Sequence, residues 1–431
     1  MYTEKLLDFI KKCPTAFHAA QELSAMLKNS GAQELYEHQA WDIEEDKKYF
    51  VRRNSSSIIA FSVPKRNYNS FMIVSSHSDS PAFKIKPNPE INTASLYTSL
   101  NTERYGGMIL GSWFDRPLSV AGRVVTQTKN GLCEKLINID RDLLMIPSVA
   151  PHIDSGVNKK EGYDIQTELI PLLGIGDTKN SFMSLVAKEA CANQDDILSY
   201  DLFLYNRQEG IVWGIDNEFF SSPRIDNLQC AFSSAKAFME SNNSQSVSVM
   251  AVFDNEEVGS GTRQGALSTF LLETLKKINE ACGKSETDYY RDIASSMALS
   301  ADNGHAVHPN YSSKHDITNR PVPNGGVLIK QNASQKYTTD ALSEAILVKI
   351  LKKNNIPYCH YVNHSNVAGG STLGHLSEQQ VSLLSADIGA AQLAMHSAYE
   401  TAGTKDTEHL VNAMKAFYNT TLKKTTEGYD F

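Results

Sequence analysis

The chain has 431 residues and carries 41 Lys and Arg against 49 Asp and Glu, a formal net charge of −8. That length exceeds the usual single hydrophobic core and points to two domains, and the acidic balance excludes a nucleic-acid or anionic-membrane surface from the expected partners. Six scattered cysteines without a CxxC pair, no run near the roughly 18 apolar residues of a membrane span and no apolar signal core in residues 1–30 give a cytoplasmic expectation.

In chain order, residues 3–28 read as two short helices. Leu6, Leu7, Phe9 and Ile10 form the face of the first, Pro14 breaks it, and Ala19, Leu23 and Leu27 form the face of the second. His18 lies here as a structural histidine. Strand-like runs follow at Ser57–Val63 and Phe71–Val74, the latter leading into His77-Ser78-Asp79. A histidine and an aspartate two apart past a buried strand suit a metal ligand and the carboxylate that orients it; alone, they read more readily as turn residues.

From about Ala94 to Glu218 the texture becomes β-rich. The runs MILGSWF, LSVAGRVVTQ, EKLINI and DLFLYN are separated by turn clusters such as Thr128-Lys129-Asn130-Gly131, with one helix expected at Ser181–Ala192. A β-rich block between two α/β stretches reads as an inserted domain. His152, among loop residues of this block, is kept as a functional candidate.

α/β texture then returns. Pro223-Arg224-Ile225-Asp226-Asn227 opens a helix faced by Leu228, Ala231, Phe232 and Ala235, with Asp226 either its N-cap or a functional acid. The apolar run Val247–Phe253 ends in Asp254-Asn255-Glu256-Glu257. A sheet interior has no use for adjacent carboxylates, so the pair belongs at the carboxyl edge, where open α/β sheets place their ligands; the alternative is a solvated acidic loop. A glycine-bounded loop at Gly261–Ala266 and a helix at Leu267–Cys282 come next. Met297–Ala301 then ends on Asp302. The rest reads as the loop His305–Tyr311, a strand Val327–Lys330, a helix Asp340–Lys352, a strand Pro357–Val362, a glycine-rich Ala368–Gly374, a segment Asp387–Thr401 carrying His396, and a helix Thr407–Leu422.

Strands of one parallel sheet present their ends along one edge, so His77 with Asp79, Glu256 with Glu257, and Asp302 can converge although far apart in sequence. With Asp226 and His396 the donors are two imidazoles and three carboxylates, a nitrogen and oxygen set that suits Zn²⁺, Mn²⁺ or Co²⁺. Five ligands fit two ions about 3.5–4 Å apart with one carboxylate bridging. No P-loop, GxSxG or dinucleotide GxGxxG accompanies them.

HSDSPAFKIKP, WFDRPLSVAGRV, SPRIDN, FDNEEVGS, SADNGHAVHPNY and LAMHSAYET, in that order, together resemble the M18 metallo-aminopeptidases, the aspartyl aminopeptidase family. FIKKCPTAFHA resembles that family's opening segment, so the likeness spans residues 8–403. It implies a three-layer α/β/α catalytic domain of the zinc-exopeptidase kind (residues 1–90 and 219–431) interrupted by a β-rich dimerisation domain (91–218). It also implies two metal ions per subunit, most readily zinc, held by His77, Asp226 as the bridge, Glu257, Asp302 and His396. Glu256 would be the general base and Asp79 the residue that orients His77. The implied partners are peptides with a free N-terminus, preferably beginning with Asp or Glu, and further copies of the chain in a dimer-based dodecamer. Lys330 matches a substrate-pocket lysine, although a lysine fringing a strand edge reads the same way. His152 matches a residue that reaches a neighbouring subunit's site, and this chain has Ser148 where some relatives carry another histidine. His305 and His308 are read as hydrogen-bonding residues beside the site, His375 as variation near the pocket, and His360 and His364 as structural.

Overall fold

Alternation of apolar side chains along the buried strands decides the architecture. In Phe71–His77, Met72 and Val74 join one apolar cluster while Phe71 and Ile73 join another. Val247–Phe253 divides the same way, Met250 and Val252 against Val249, Ala251 and Phe253. Side chains two apart share a face, so strands buried along their whole length with apolar side chains on both faces need cover on both sides. The computed structural model, which describes residues 2–176, 178, 180–370 and 372–431, supplies it.

One cluster packs the sheet against the helices Tyr2–Lys12, Ala16–Asn29, Ile225–Glu240, Ala341–Lys353 and Asp406–Tyr418. The other packs it against Phe270–Ala281, Glu286–Ala294 and the short Leu373–Ser377. The result is a three-layer α/β/α sandwich. Among the described residues its sheet has nine strands, in the order Gln33–Leu35, Lys47–Arg53, Ser57–Val63, Val247–Phe253, Phe71–His77, Met297–Ala301, Leu384–Gly389, Val327–Lys330, Tyr358–Tyr361. The four strands that matter for the site are parallel neighbours. Phe71–His77 lies between Val247–Phe253 and Met297–Ala301, and Leu384–Gly389 pairs outside the latter. Phe61, buried and stacked on Trp41 and Tyr49, anchors the second cluster. Phe61→Ala should cost about 3–5 kcal/mol, read as a lower urea midpoint at an unchanged denaturant slope.

Among the described residues a second sheet of six strands runs Gly131–Asn138, Leu118–Thr128, Ile197–Asn206, Ala82–Thr93, Tyr97–Tyr105, Leu172–Ile175, entirely within the sequence stretch that interrupts the sandwich. It has its own core, in which Phe83 meets Trp113 edge-on at 5.2 Å. Thr128 pairs with Gly131, so Lys129 and Asn130 form the turn of a tight hairpin. A third sheet of five short strands, Ile211–Trp213, Phe219–Ser222, Glu400–Gly403, Ala391–Leu393 and Gly304–His305, ties the end of the insertion to the closing segment.

Several elements differ from the sequence expectation. Ala82–Thr93 is a strand despite Pro87 and Pro89, because its pairing with Tyr97–Tyr105 breaks register between Ile85 and Glu90, around both prolines. The run MILGSWF folds as a 3₁₀ turn over Leu110–Trp113 in place of a strand, with Trp113 the residue it buries. The helix Glu286–Ala294 arises from polar sequence, nucleated by a capping box in which Ser285 accepts from the Asp288 N–H and Asp288 from the Ser285 N–H. The glycine-rich Ala368–Gly374 stretch gives way to a helix at Leu373; Ser371 within it lies outside the described residues.

Candidate metal centre

The parallel strands end in step. His77 closes its strand directly opposite Phe253, so Glu256 and Glu257, on a 3₁₀ turn three residues on, stand beside it. Asp302 follows Ala301 of the neighbouring strand. Gly389 lies so near that a Cβ there would sit 1.9 Å from the Asp302 carbonyl oxygen, so only glycine permits this approach.

Asp226 is reached differently. The segment assigned to the helix Ile225–Glu240 is non-helical at Asp226 and Asn227, and Asp226 is not the N-cap. Its carbonyl accepts from the Ser80 hydroxyl at 2.7 Å, and the Asn227 amide donates to the Ala301 carbonyl at 2.8 Å. These contacts turn the Asp226 carboxylate to the strand ends. His396 sits in a turn between Ala391–Leu393 and Glu400–Gly403, with φ of +67°.

The sequence-predicted ligands come together. His77 Nε2 lies 3.6 Å from Asp226 Oδ1, 3.6 Å from Asp302 Oδ1 and 3.9 Å from Glu256 Oε2. His396 Nε2 lies 3.5 Å from Asp226 Oδ2 and 3.5 Å from Glu257 Oε2. Donor atoms of His77, Asp226 and Asp302 lie within 4.8 Å of one another, as do those of Asp226, Glu257 and His396, and those of His77, Glu256 and Glu257. Asp226 thus turns one oxygen to each imidazole.

These separations are too long for good hydrogen bonds but close to the roughly 3.3 Å between two donors of a tetrahedral ion with bonds near 2.05 Å. Asp226 Oδ1, Glu257 Oε1 and Asp302 Oδ1 are buried oxygens with no hydrogen-bond partner, although buried polar atoms are normally satisfied. Electrostatics agrees. Burial alone would lower His77, yet Asp226, Asp302 and Asp79 raise its ring well above the usual imidazole range. His396 is carried up to about 10 against its burial, by Asp226 and Glu257. Burial pushes Glu256 up to about 8, with Asp302, Asp79 and Asp226 adding to the push and His77 opposing it. Glu257 goes well above its ordinary value, burial first and the Asp226 charge contributing. Asp226 goes the other way: burial would raise it, but the His396 and His77 rings facing it hold its carboxyl well below the usual range. Two glutamates driven up by burial and two imidazoles driven up by carboxylates, around an aspartate held ionised, mark a cage short of positive charge, and a divalent cation answers that need.

Asp79 touches His77 through its carbonyl, 3.1 Å from Nδ1, and its Oδ1, 3.4 Å from the same atom. Its carboxylate also accepts the backbone N–H groups of Glu256 and Glu257, both at 3.1 Å, and the Tyr105 hydroxyl at 2.7 Å. One aspartate therefore holds the imidazole and the turn carrying the glutamate pair. Tyr105 comes from the second sheet and was not singled out in the sequence, where a tyrosine in a polar strand carries no signal. Beside it, Gly106 (φ +76°) lets the chain pass Glu257, whose Cβ a side chain would meet at 3.0 Å.

Lys330 is buried; its ammonium donates to the Asp302 carbonyl at 2.8 Å and the Asn303 carbonyl at 3.2 Å, and lies 3.3 Å from Asp302 Oδ2. His152 lies on an exposed turn of the insertion and belongs to none of the three donor groups. His305 and His308 also lie outside them. His308 accepts from the Asn310 N–H, and its own N–H donates to the His315 ring.

The profile of the aminopeptidase I zinc metalloprotease (M18) family matches residues 9–418. A probable M18 family aminopeptidase 2 of Clostridium novyi is 41% identical over 426 residues, 97% of this chain and 98% of that one. Aspartyl aminopeptidase 1 of Schizosaccharomyces pombe is 36% identical, across 96% of this chain and 93% of its own. Among solved structures, the S. cerevisiae mApe1 dodecamer superposes with a TM-score of 0.84 at 25% identity, covering 97% of this chain and 96% of that one.

Proposed function

Since this chain belongs to the aminopeptidase I zinc metalloprotease (M18) family, we infer that the donor groups meeting at Asp226 hold two divalent cations and that the enzyme uses them to hydrolyse the N-terminal residue from peptides. Zinc is the first candidate, with manganese and cobalt suited to the same donors. One observation carries the two-ion reading: Asp226 turns separate oxygens to His77 and His396, at 3.6 and 3.5 Å.

His77, Asp226 and Asp302 would hold one ion, and Asp226, Glu257 and His396 the other. Bound there, the pair supplies Lewis acidity to the scissile carbonyl and the attacking water. Glu256 takes the proton of that water and delivers it to the leaving amine. Asp79 fixes the base through the Glu256 N–H and the imidazole of His77 through Nδ1. A free α-amino group on the substrate would face one of the ions, which restricts cutting to the first residue.

The proposal includes a preference for N-terminal Asp and Glu. The likeness to an aspartyl aminopeptidase and a buried cation at Lys330 support it. A second reading, broad or neutral specificity, is favoured by the contacts of that same ammonium, which already faces three oxygens of Asp302 and Asn303. Rates on peptides beginning with Asp, Glu, Leu and Lys, for zinc-reconstituted wild type and Lys330→Ala, separate the two. An acidic-residue enzyme should lose at least about tenfold on Asp and Glu peptides in the variant, in line with a charge-assisted contact, and hold its rate on Leu. Equal loss on all four would make Lys330 a support of Asp302.

The division into a catalytic unit (residues 1–90 and 219–431) and a dimerisation unit (91–218) belongs to the same proposal. Exposed Leu96 and Ile175, brought together where Tyr97 pairs with Ile175, support it, since apolar side chains mark contact surfaces when they gather. A dodecamer, as in the yeast relative, is the proposed assembly, with His152 reaching a neighbouring site. No helix among the described residues is long and apolar enough to cross a membrane; the proposed compartment is the cytoplasm.

A further inference from the structure

Two of the candidate ligands rest on backbone that does not hold itself. His396 has φ of +67°, and Ala394, two residues before it, has φ of +55°. Arg224, two residues before Asp226, has φ of +58°. Left-handed conformations at such residues persist only where the surroundings fix them. Both ligands are fixed by one side chain. Glu400 Oε2 accepts the Asp226 N–H at 2.9 Å, and Glu400 Oε1 accepts the His396 N–H at 2.8 Å.

Glu400 is itself buried and held. Oε1 also accepts from the Gln392 amide at 3.3 Å; the Gln392 carbonyl oxygen accepts from Asn303 at 2.8 Å, and Asn303 donates again to Gln229 at 3.0 Å. All four side chains are at most 2% exposed, so the chain of contacts runs through the interior. It begins beside Asp302, passes beneath the site and ends on the backbone of the bridging carboxylate and of the second imidazole. Buried networks that are fully satisfied rigidify what they touch, and groups outside the ligand sphere commonly change metal affinity 10–100-fold.

We propose that Glu400 is a positioning residue that sets Asp226 and His396 jointly through their backbone N–H groups, so that the ion shared by Asp226, Glu257 and His396 depends on it most. The inference rests on the two-ion reading above. Glutamine in its place keeps the shape but has one acceptor; its NH₂ turns a donor against either the Asp226 or the His396 N–H. Aspartate is too short to span both.

The test is a zinc titration of the metal-depleted, fully assembled enzyme, wild type against Glu400→Gln and Gln392→Met, monitored by calorimetry with the metal-free unfolding midpoint measured in parallel. Wild type should show two uptake steps. Glu400→Gln should keep one and weaken the other by about tenfold or more, a selectivity that a lowered metal-free midpoint alone would not produce. Its kcat should recover in excess zinc while KM stays put. Gln392→Met, which leaves both N–H contacts, should weaken the same step by less. Two steps as tight as wild type in Glu400→Gln would overturn the inference. So would equal weakening of both steps with a lowered midpoint, the mark of a merely structural role. If Glu400→Gln does not fold, Gln392→Met decides: selective weakening supports the inference and no change overturns it. A wild type that takes up one ion refutes the two-ion reading before any variant is compared.

Discussion

Glu256→Gln is expected to bind both cations and lose about 10²–10⁴ in kcat, with KM nearly unchanged. Glu256 occurs only in the donor group with His77 and Glu257, and its nearest imidazole approach, 3.9 Å, is the longest in the site. It therefore adds least to holding an ion. Its turn is fixed by backbone contacts that glutamine leaves intact: the Glu256 N–H to Asp79 and the Gly259 N–H to the Glu256 carbonyl. What glutamine cannot do is accept a proton. Steady-state kinetics beside metal content by atomic emission checks both halves. A variant with near-normal kcat would remove Glu256 from the mechanism, and one that lost metal would make it a ligand.

Asp226→Asn should do the reverse. The single amide oxygen can face His77 or His396 but not both, and the NH₂ meets the other imidazole where an anion stood. We expect loss of one ion per subunit at zinc concentrations that saturate the wild type, and a fall in activity of at least about 10²-fold. The Asp226 N–H contact to Glu400 is unaffected, because it comes from the backbone. The metal-free fold should therefore persist by circular dichroism, and a variant retaining two ions would show that Asp226 does not bridge.

The two substitutions differ because of where the residues come from, and so does their legibility. Acids at the ends of buried apolar runs, such as Asp302 after Met297–Ala301, stand out because burial and charge conflict within two residues. Asp226 read equally as a helix cap, and the extended backbone at Asp226 removes only that alternative. Glu400 carries no local signal, since one glutamate in Tyr-Glu-Thr is ordinary surface chemistry until pairing with Phe219–Ser222 buries it. Ala82–Thr93 was hidden by Pro87 and Pro89, which speak against a strand unless a bulge absorbs them. The helix Glu286–Ala294 did have a signature, Ser285 followed three residues later by Asp288, but its polar face masked the periodicity.

The order in which the donors occur along the polypeptide has a consequence for biosynthesis. Asp302 leaves the ribosome well before His396 and Glu400 do. A nascent chain that already exposes His77, Asp226, Glu257 and Asp302 therefore still lacks the second imidazole of the proposed cage and the side chain proposed to position it. By that reading, peptide cleavage awaits the emergence of both.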